Sequence, residues 1–183
     1  GSEMCIRDRT IADKILDDLE LALLSLPADK SINTITRWSA LALKSRFCLF
    51  EGTFRKYHGL DDADRFLALC AEASDELMRS GKFSIDLAGG PQLAYRDLFA
   101  QPATNDASPV EVINAQAYNF GLGVKHGFNY QLTNPAGNRM GFEKTFVNSY
   151  LMADGSRFTD RPGYATMTFA EEFAGRHPRM SQT

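Results

Sequence analysis

Asn33–Gly81 reads NTITRWSALALKSRFCLFEGTFRKYHGLDDADRFLALCAEASDELMRSG, and its spacing predicts two long helices joined by a tight turn. In the first half, Trp38, Leu41, Ala42, Ser45, Cys48, Leu49 and Gly52 recur on one side at helical intervals, and Leu43, Phe47, Phe50, Phe54 and Tyr57 recur on the other. A helix that is apolar on two faces is expected to be sandwiched. Arg37, Lys44, Glu51 and Arg55 are left as one narrow stripe that reaches water. Ala42, Ser45 and Gly52 let a neighbouring backbone approach, while the rings opposite bury large areas. The second half carries Ala63, Phe66, Leu67, Cys70, Ser74, Leu77 and Met78 on one face. Asp61 or Asp62 is the expected N-cap, and Gly81 suits the left-handed position that ends a helix. At 1.5 Å per residue, each helix of about 20 residues is roughly 30 Å long.

Outward from this pair, Thr10–Leu26 predicts a one-sided amphipathic helix with Ile11, Ile15, Leu19, Ala22, Leu23 and Leu26 inward, stopped by Pro27. Gly1–Arg9 fits no later pattern and reads as an artificial lead. After Gly81 come a short extended piece, Phe83–Leu87, and a short helix, Gln92–Phe99. The β-branched run Val110–Ala117 predicts the one convincing strand. Tyr118–Met140, YNFGLGVKHGFNYQLTNPAGNRM, has no periodicity and is the expected long loop; its rings Tyr118, Phe120, His126, Phe128 and Tyr130 argue against disorder. Helical spacing returns over Phe142–Met152 and Phe169–Ala174, and the chain turns at Gly175–Arg179. The predicted fold is mainly α: tetratricopeptide-like helical hairpin layers with long irregular loops and at most one or two short strands.

A chain of 183 residues with 44% hydrophobic content can bury one core, and length alone points to one domain. The net charge of −3 and pI near 5.6, without any basic stripe, argue against nucleic acid as a partner. No stretch reaches the roughly 20 apolar residues of a membrane span, and residues 1–9 hold no apolar signal core. Cys5, Cys48 and Cys70 lie far apart, which signals neither a zinc site nor a disulfide framework. The two within helices read as small buried hydrophobes.

The helix RWSALALKSRFCLFEGTFRKYH resembles the long helix of the SusD/RagB family, glycan-binding outer-membrane lipoproteins of Bacteroidetes, with its aromatic L-x-E-G-T-x-x-K-Y-H-like end. PVEVINAQAYN resembles the strand that follows the family's helices. MGFEKTFVNSYLMADGSRFTDRPGY and FAEEFAGRHPRMSQT resemble its lid-side segment and its R-D-P-R-L-like turn, with His177 and Met180 standing where the family usually has Asp and Leu. The resemblance runs over about Thr10–Thr183. It implies one SusD-like domain fragment, internal to a longer protein, with a helical scaffold over 10–100 and a loop-rich binding part over 101–183. It further implies a glycan ligand, a SusC-like TonB-dependent transporter as partner, a place at the cell outer membrane facing outward, and membrane attachment only through a lipid anchor that Cys5 does not provide.

No G-x-S-x-G, H-E-x-x-H or P-loop is present, and Gly121-Leu122-Gly123 followed by Gly127 misses the dinucleotide spacing, so no catalytic residues, metal or cofactor are expected. His58 suits a helix C-terminus, and Asp154, Ser156 and Asp160 suit a turn better than a calcium site. Sugar recognition needs aromatic faces beside amides or Arg on a rigid support. The candidate glycan contacts are Tyr118, Phe128, Asn129, Tyr130, Gln131 and Asn138. Two other readings compete with this one: a helical protein-interaction scaffold without direct sugar contact, and a glycosidase drawing on Glu143, Asp154 and Glu171. Phe47 and Phe54 are the rings expected to fill the gap between helix layers.

Overall fold

The structure is a computed structural model that describes residues 3–100, 110–116, 118–134 and 141–182, the side chains of residues 3–9 excepted. The fold is mainly α. Eight helices are described: α1 (Glu3–Ser25), α2 (Arg37–Tyr57), α3 (Ala63–Arg79), α4 (Gly90–Phe99), α5 (Phe128–Thr133), α6 (Lys144–Ser149), α7 (Phe169–Phe173) and α8 (Pro178–Gln182). Among the described residues, β structure is confined to isolated antiparallel bridges. The chain divides into two compact units, residues 1–85 with 104–117 and residues 86–103 with 118–183.

The first unit is built on α2 and α3, the predicted pair. Thr36 caps α2 in a capping box with Ser39, satisfying donors that a helix start leaves unpaired. Gly81 ends the hairpin with φ 67°, as expected, but Asp62 caps α3 in the left-handed region without a side-chain bond. The small residues of α2 serve as read from the sequence. A Cβ on Gly52 would lie 2.8 Å from Cγ of Leu67 and 3.1 Å from its amide nitrogen, and Ser45 Oγ lies 2.7 Å from Ser74 Oγ across the pair. One core cluster joins Ala12, Leu16, Cys48 and Phe66, and a second joins Trp38, Leu41 and Ala73. Burial raises the Cys48 thiol pKa above its ordinary value, consistent with a packing role.

Several expectations for this unit are overturned. Helix α1 begins at Glu3, because the segment set aside as a lead holds no Gly or Pro after Ser2 to stop it. Its buried stripe is Ala12, Leu16 and Leu19, while Ile11 and Ile15 face out. On α2 the wet and packed sides are exchanged. Lys44 is 8% exposed and reaches Glu20 on α1, and Arg55 is buried with Glu51 at 2.7 Å and the Asp61 carbonyl at 3.2 Å. Long aliphatic stems let both cations pack while their heads find oxygen. Leu43, Phe50 (64% exposed), Phe54 and Tyr57 (85%) are open instead, so α2 is packed on one side only among the described residues. Phe47 is half-buried and packs against the cluster of Phe66, edge to face at 6.2 Å, whereas Phe54, expected beside it in the core, is exposed.

Val110–Ala117 does not form a strand over its described residues. Its backbone bonds go to unlike partners, Val110 O from the Ser84 amide and the Ala115 amide to Ile32 O, and Ile113 plugs the Trp38 cluster. The β-branched residues thus serve packing, which β-propensity cannot distinguish from pairing.

In the second unit α4 and α8 are tied end to end: Gln182 Nε2 donates to Pro91 O at 3.0 Å, and the Arg96 amide donates to Gln182 Oε1 at 3.1 Å. Residues 151–153 are held on both sides, by bridges Leu151–Arg157 and Met152–Arg176. Over its described residues the expected loop holds regular structure. Asn119 pairs with Val124 around a 3-10 turn at Phe120–Leu122, capped by the Asn119 side chain, and α5 follows. A six-residue helix is too short to display a period.

Candidate functional site

The second unit holds a cleft of about 490 Å³ lined by Tyr95, Phe146, Ser149, Tyr150, Leu151, His177 and Arg179. Each wall follows from local chemistry. Tyr95 is set on α4, where it meets Phe99 at i+4 with centroids 5.0 Å apart. Phe146 and Tyr150 meet at the same spacing around the end of α6, edge to face at 5.6 Å. His177 is fixed by its amide, which donates to Leu151 O at 2.9 Å, and its Nδ1 accepts the Arg179 amide at 3.3 Å. The Arg179 guanidinium carbon lies 4.9 Å from the Tyr95 ring centroid.

Arg176 supports this arrangement from beneath. Burial lowers its pKa, yet its donors reach the carbonyls of Val147 (2.7 Å), Tyr150 (2.9 Å) and Glu172 (3.1 Å). The first two lie at the end of α6, where Val147 O also accepts the Tyr150 amide at 3.4 Å. Lys144 on α6 also pairs with Glu172 on α7.

A second cleft, about 420 Å³, is lined by Thr145, Asn148, Ser149, Leu151, Arg157, Thr159 and Tyr164. Asn148 Oδ1 is buried there without a hydrogen-bond partner among the described residues. Ser149 and Leu151 line both clefts.

The predicted contact residues lie elsewhere in the same unit. Tyr118, His126 and Phe128 form a ring cluster, with Tyr118 and His126 4.8 Å apart and His126 and Phe128 6.4 Å apart. Phe128 is 50% and Tyr130 64% exposed, so neither ring is plugged into the helices. Asn129 is exposed and Gln131 half-buried on α5, and Asn138 lies outside the described residues. This is an open platform, and none of its residues lines either cleft described above.

The sequence reading missed Tyr95, Phe146, Tyr150, His177 and Arg179. The helical spacing over Phe142–Met152 yields only the short α6, Lys144–Ser149, on which Phe146 stays half exposed.

The three carboxylates of the glycosidase reading are dispersed in role. Asp154 accepts the Ser156 hydroxyl and amide, at 2.7 and 2.9 Å, as the expected turn. Glu171 accepts Thr168 in the capping box of α7, and Glu143 precedes α6. The hydroxyl bonds lower the pKa of Asp154 and of Glu171, away from the raised value a general acid needs. Among the described residues there is no group of three potential metal ligands, and no helix is long and apolar enough to cross a membrane.

No family model, no curated protein and no solved structure matches this chain.

Proposed function

We propose that the chain binds extracellular glycan without turning it over, and that in the cell it passes the glycan to a SusC-like TonB-dependent transporter at the outer membrane. The observation that carries the binding reading is the cleft of about 490 Å³ that gathers Tyr95, Phe146 and Tyr150 with Ser149, His177 and Arg179. Rings present apolar faces to a pyranose, and hydroxyl, imidazole and guanidinium groups serve its hydroxyls. The volume lies within the roughly 300–1,000 Å³ of small-molecule sites. The platform of Tyr118, Phe128, Asn129, Tyr130 and Gln131 offers a second, open surface of rings and amides, while the remaining candidate, Asn138, lies outside the described residues. Transporter partner and location rest on the resemblance to SusD/RagB lipoproteins alone.

Calorimetric titration with a panel of oligosaccharides, followed by a reducing-end assay, tests the reading. Saturable binding without new reducing ends is expected. Release of reducing ends by the purified chain, or no binding to any sugar, overturns it.

The second reading, a helical protein-interaction scaffold, is favoured by one observation in the first unit. Ile11 and Ile15 on α1 and Phe47, Phe50 and Phe54 on α2 line an apolar groove of about 250 Å³, with Tyr57 further along the same helix. Exposed apolar surface of this kind marks contact sites in many proteins.

A further inference from the structure

The second cleft of this unit, about 420 Å³, is lined differently from the first. Tyr164 is its one ring, and Thr145, Asn148, Arg157 and Thr159 set polar groups around it. Among the described residues none of these five side chains takes part in a hydrogen bond or ion pair, and Asn148 Oδ1 is buried as well. Buried polar atoms are nearly always paired, and an unpaired one costs stability until a donor reaches it. The hydroxyls of Thr and Tyr and the amide of Asn both donate and accept, as a sugar hydroxyl does, and the guanidinium adds donors. Ser149 and Leu151 line both clefts, and this common wall is fixed from several directions. Leu151 pairs with Arg157 in an antiparallel bridge, Leu151 O accepts the His177 amide at 2.9 Å, and Tyr150 O accepts the Arg176 guanidinium at 2.9 Å.

We infer that the two clefts are adjoining subsites of one ligand, so that the glycan is held as a chain of several sugars crossing Ser149 and Leu151; the inference rests on the glycan reading above and deepens it. The second cleft, like the first, is of small-molecule size by itself, within roughly 300–1,000 Å³. The two divide the work of recognition. Tyr95, Phe146 and Tyr150 offer ring faces in the first, and Thr145, Asn148, Arg157, Thr159 and Tyr164 offer hydrogen bonds in the second. A chain of like units suits both, because each pyranose has apolar faces and a rim of hydroxyls. A sugar unit that enters the second cleft is already tethered through its neighbour in the first, so its contacts add affinity without a second loss of translational freedom. The fixed wall between the clefts sets their spacing before any ligand arrives.

The test titrates the 183-residue chain, and its Asn148→Ala and Tyr95→Ala variants, with the disaccharide and the pentasaccharide of three uncharged series, the cello-, xylo- and manno-oligosaccharides. In at least one series the pentasaccharide is expected to bind at least about tenfold tighter than the disaccharide, as a linked second contact allows. Asn148→Ala should remove most of that gain and leave the disaccharide unchanged, whereas Tyr95→Ala should weaken both lengths. If Asn148→Ala does not fold, Thr159→Val at an exposed position keeps the shape and removes one hydroxyl; a several-fold loss for the pentasaccharide alone supports the inference. Equal affinity for the two lengths, a gain with length that both second-cleft variants leave intact, or equal loss at both lengths overturns it and leaves the glycan reading standing. No binding by any of the six sugars overturns the inference, and the wider panel then decides whether the glycan reading falls with it.

Discussion

The guanidinium carbon of Arg176 sits 3.9 Å from the centroid of the Phe158 ring, and both side chains are buried. Because the same guanidinium bonds the carbonyls of Val147, Tyr150 and Glu172, one residue joins α6, α7 and the Phe158 turn. Arg176→Met keeps the bulk over the ring but takes the guanidinium donors from the Tyr150 and Glu172 oxygens and leaves Val147 O only the Tyr150 amide, and it should cost on the order of 3 kcal/mol in urea unfolding. Arg176→Lys, with a single donor head, should fall between the two. A loss under about 0.5 kcal/mol would show that water satisfies the carbonyls equally well.

Phe66 is 1% exposed between Arg55 and Arg65, whose guanidinium carbons are 4.9 and 5.3 Å from its ring centroid. Phe66→Ala should cost about 3–5 kcal/mol. Phe54→Ala, expected from sequence to be as damaging, should cost under about 1 kcal/mol because its ring stands at the surface. Parallel denaturant melts decide, and similar losses at the two positions would place Phe54 in a core.

Gly52→Ala sets two effects against each other. Alanine improves helix propensity by about 1 kcal/mol, whereas overpacking costs about 1–3 kcal/mol. The clash includes the Leu67 backbone nitrogen, which cannot rotate away, so the net change should be destabilising, with Gly52→Val worse. A raised melting temperature for Gly52→Ala would mean that α3 slides aside at little cost.

Stability should fall with acid in a window set by Asp154 and Glu171. Hydrogen bonds hold both carboxyls below their ordinary pKa values, so each stabilises the fold fully above its unfolded value and loses that contribution as pH drops through the folded one. Melting temperature should therefore decline from about pH 5 towards pH 3. Glu171→Gln keeps the capping acceptor without the charge, and its decline should be shallower. Identical slopes for variant and parent would remove the linkage.

Phe128→Ala should leave stability within about 1 kcal/mol, as surface changes do, and Tyr95→Ala should weaken sugar binding. Binding lost at Phe128 but not at Tyr95 would move the contact surface from the cleft to the platform.

The hairpin of α2 and α3 was legible because 21 and 17 residues are long enough for period and caps to agree. What sequence could not tell was which of two apolar faces on α2 is used. Lys44 and Arg55 are charged at one end and apolar along the stem, so a helical wheel scores them as wet, although each stem packs and each head finds a carboxylate. The strand expected at 110–117 failed for the same kind of reason, since Ile113 satisfies its β-branched preference by packing. The cleft was hidden because Tyr95, Phe146 and Arg179 come from three short elements, and nothing local to any of them announces the others.

The order in which the chain visits its units limits what can be cut from it. Tyr95 and Arg179 face one cleft, yet between them in sequence runs 104–117, which belongs to the first unit. No single break therefore releases the cleft as a transferable cassette: starting at Tyr118 discards α4 and its ring, and starting at Asp86 carries along a strip whose Ile113 has lost the Trp38 cluster it plugs. Any change to the lining of this cleft would have to be made residue by residue, and not by shuffling one continuous segment.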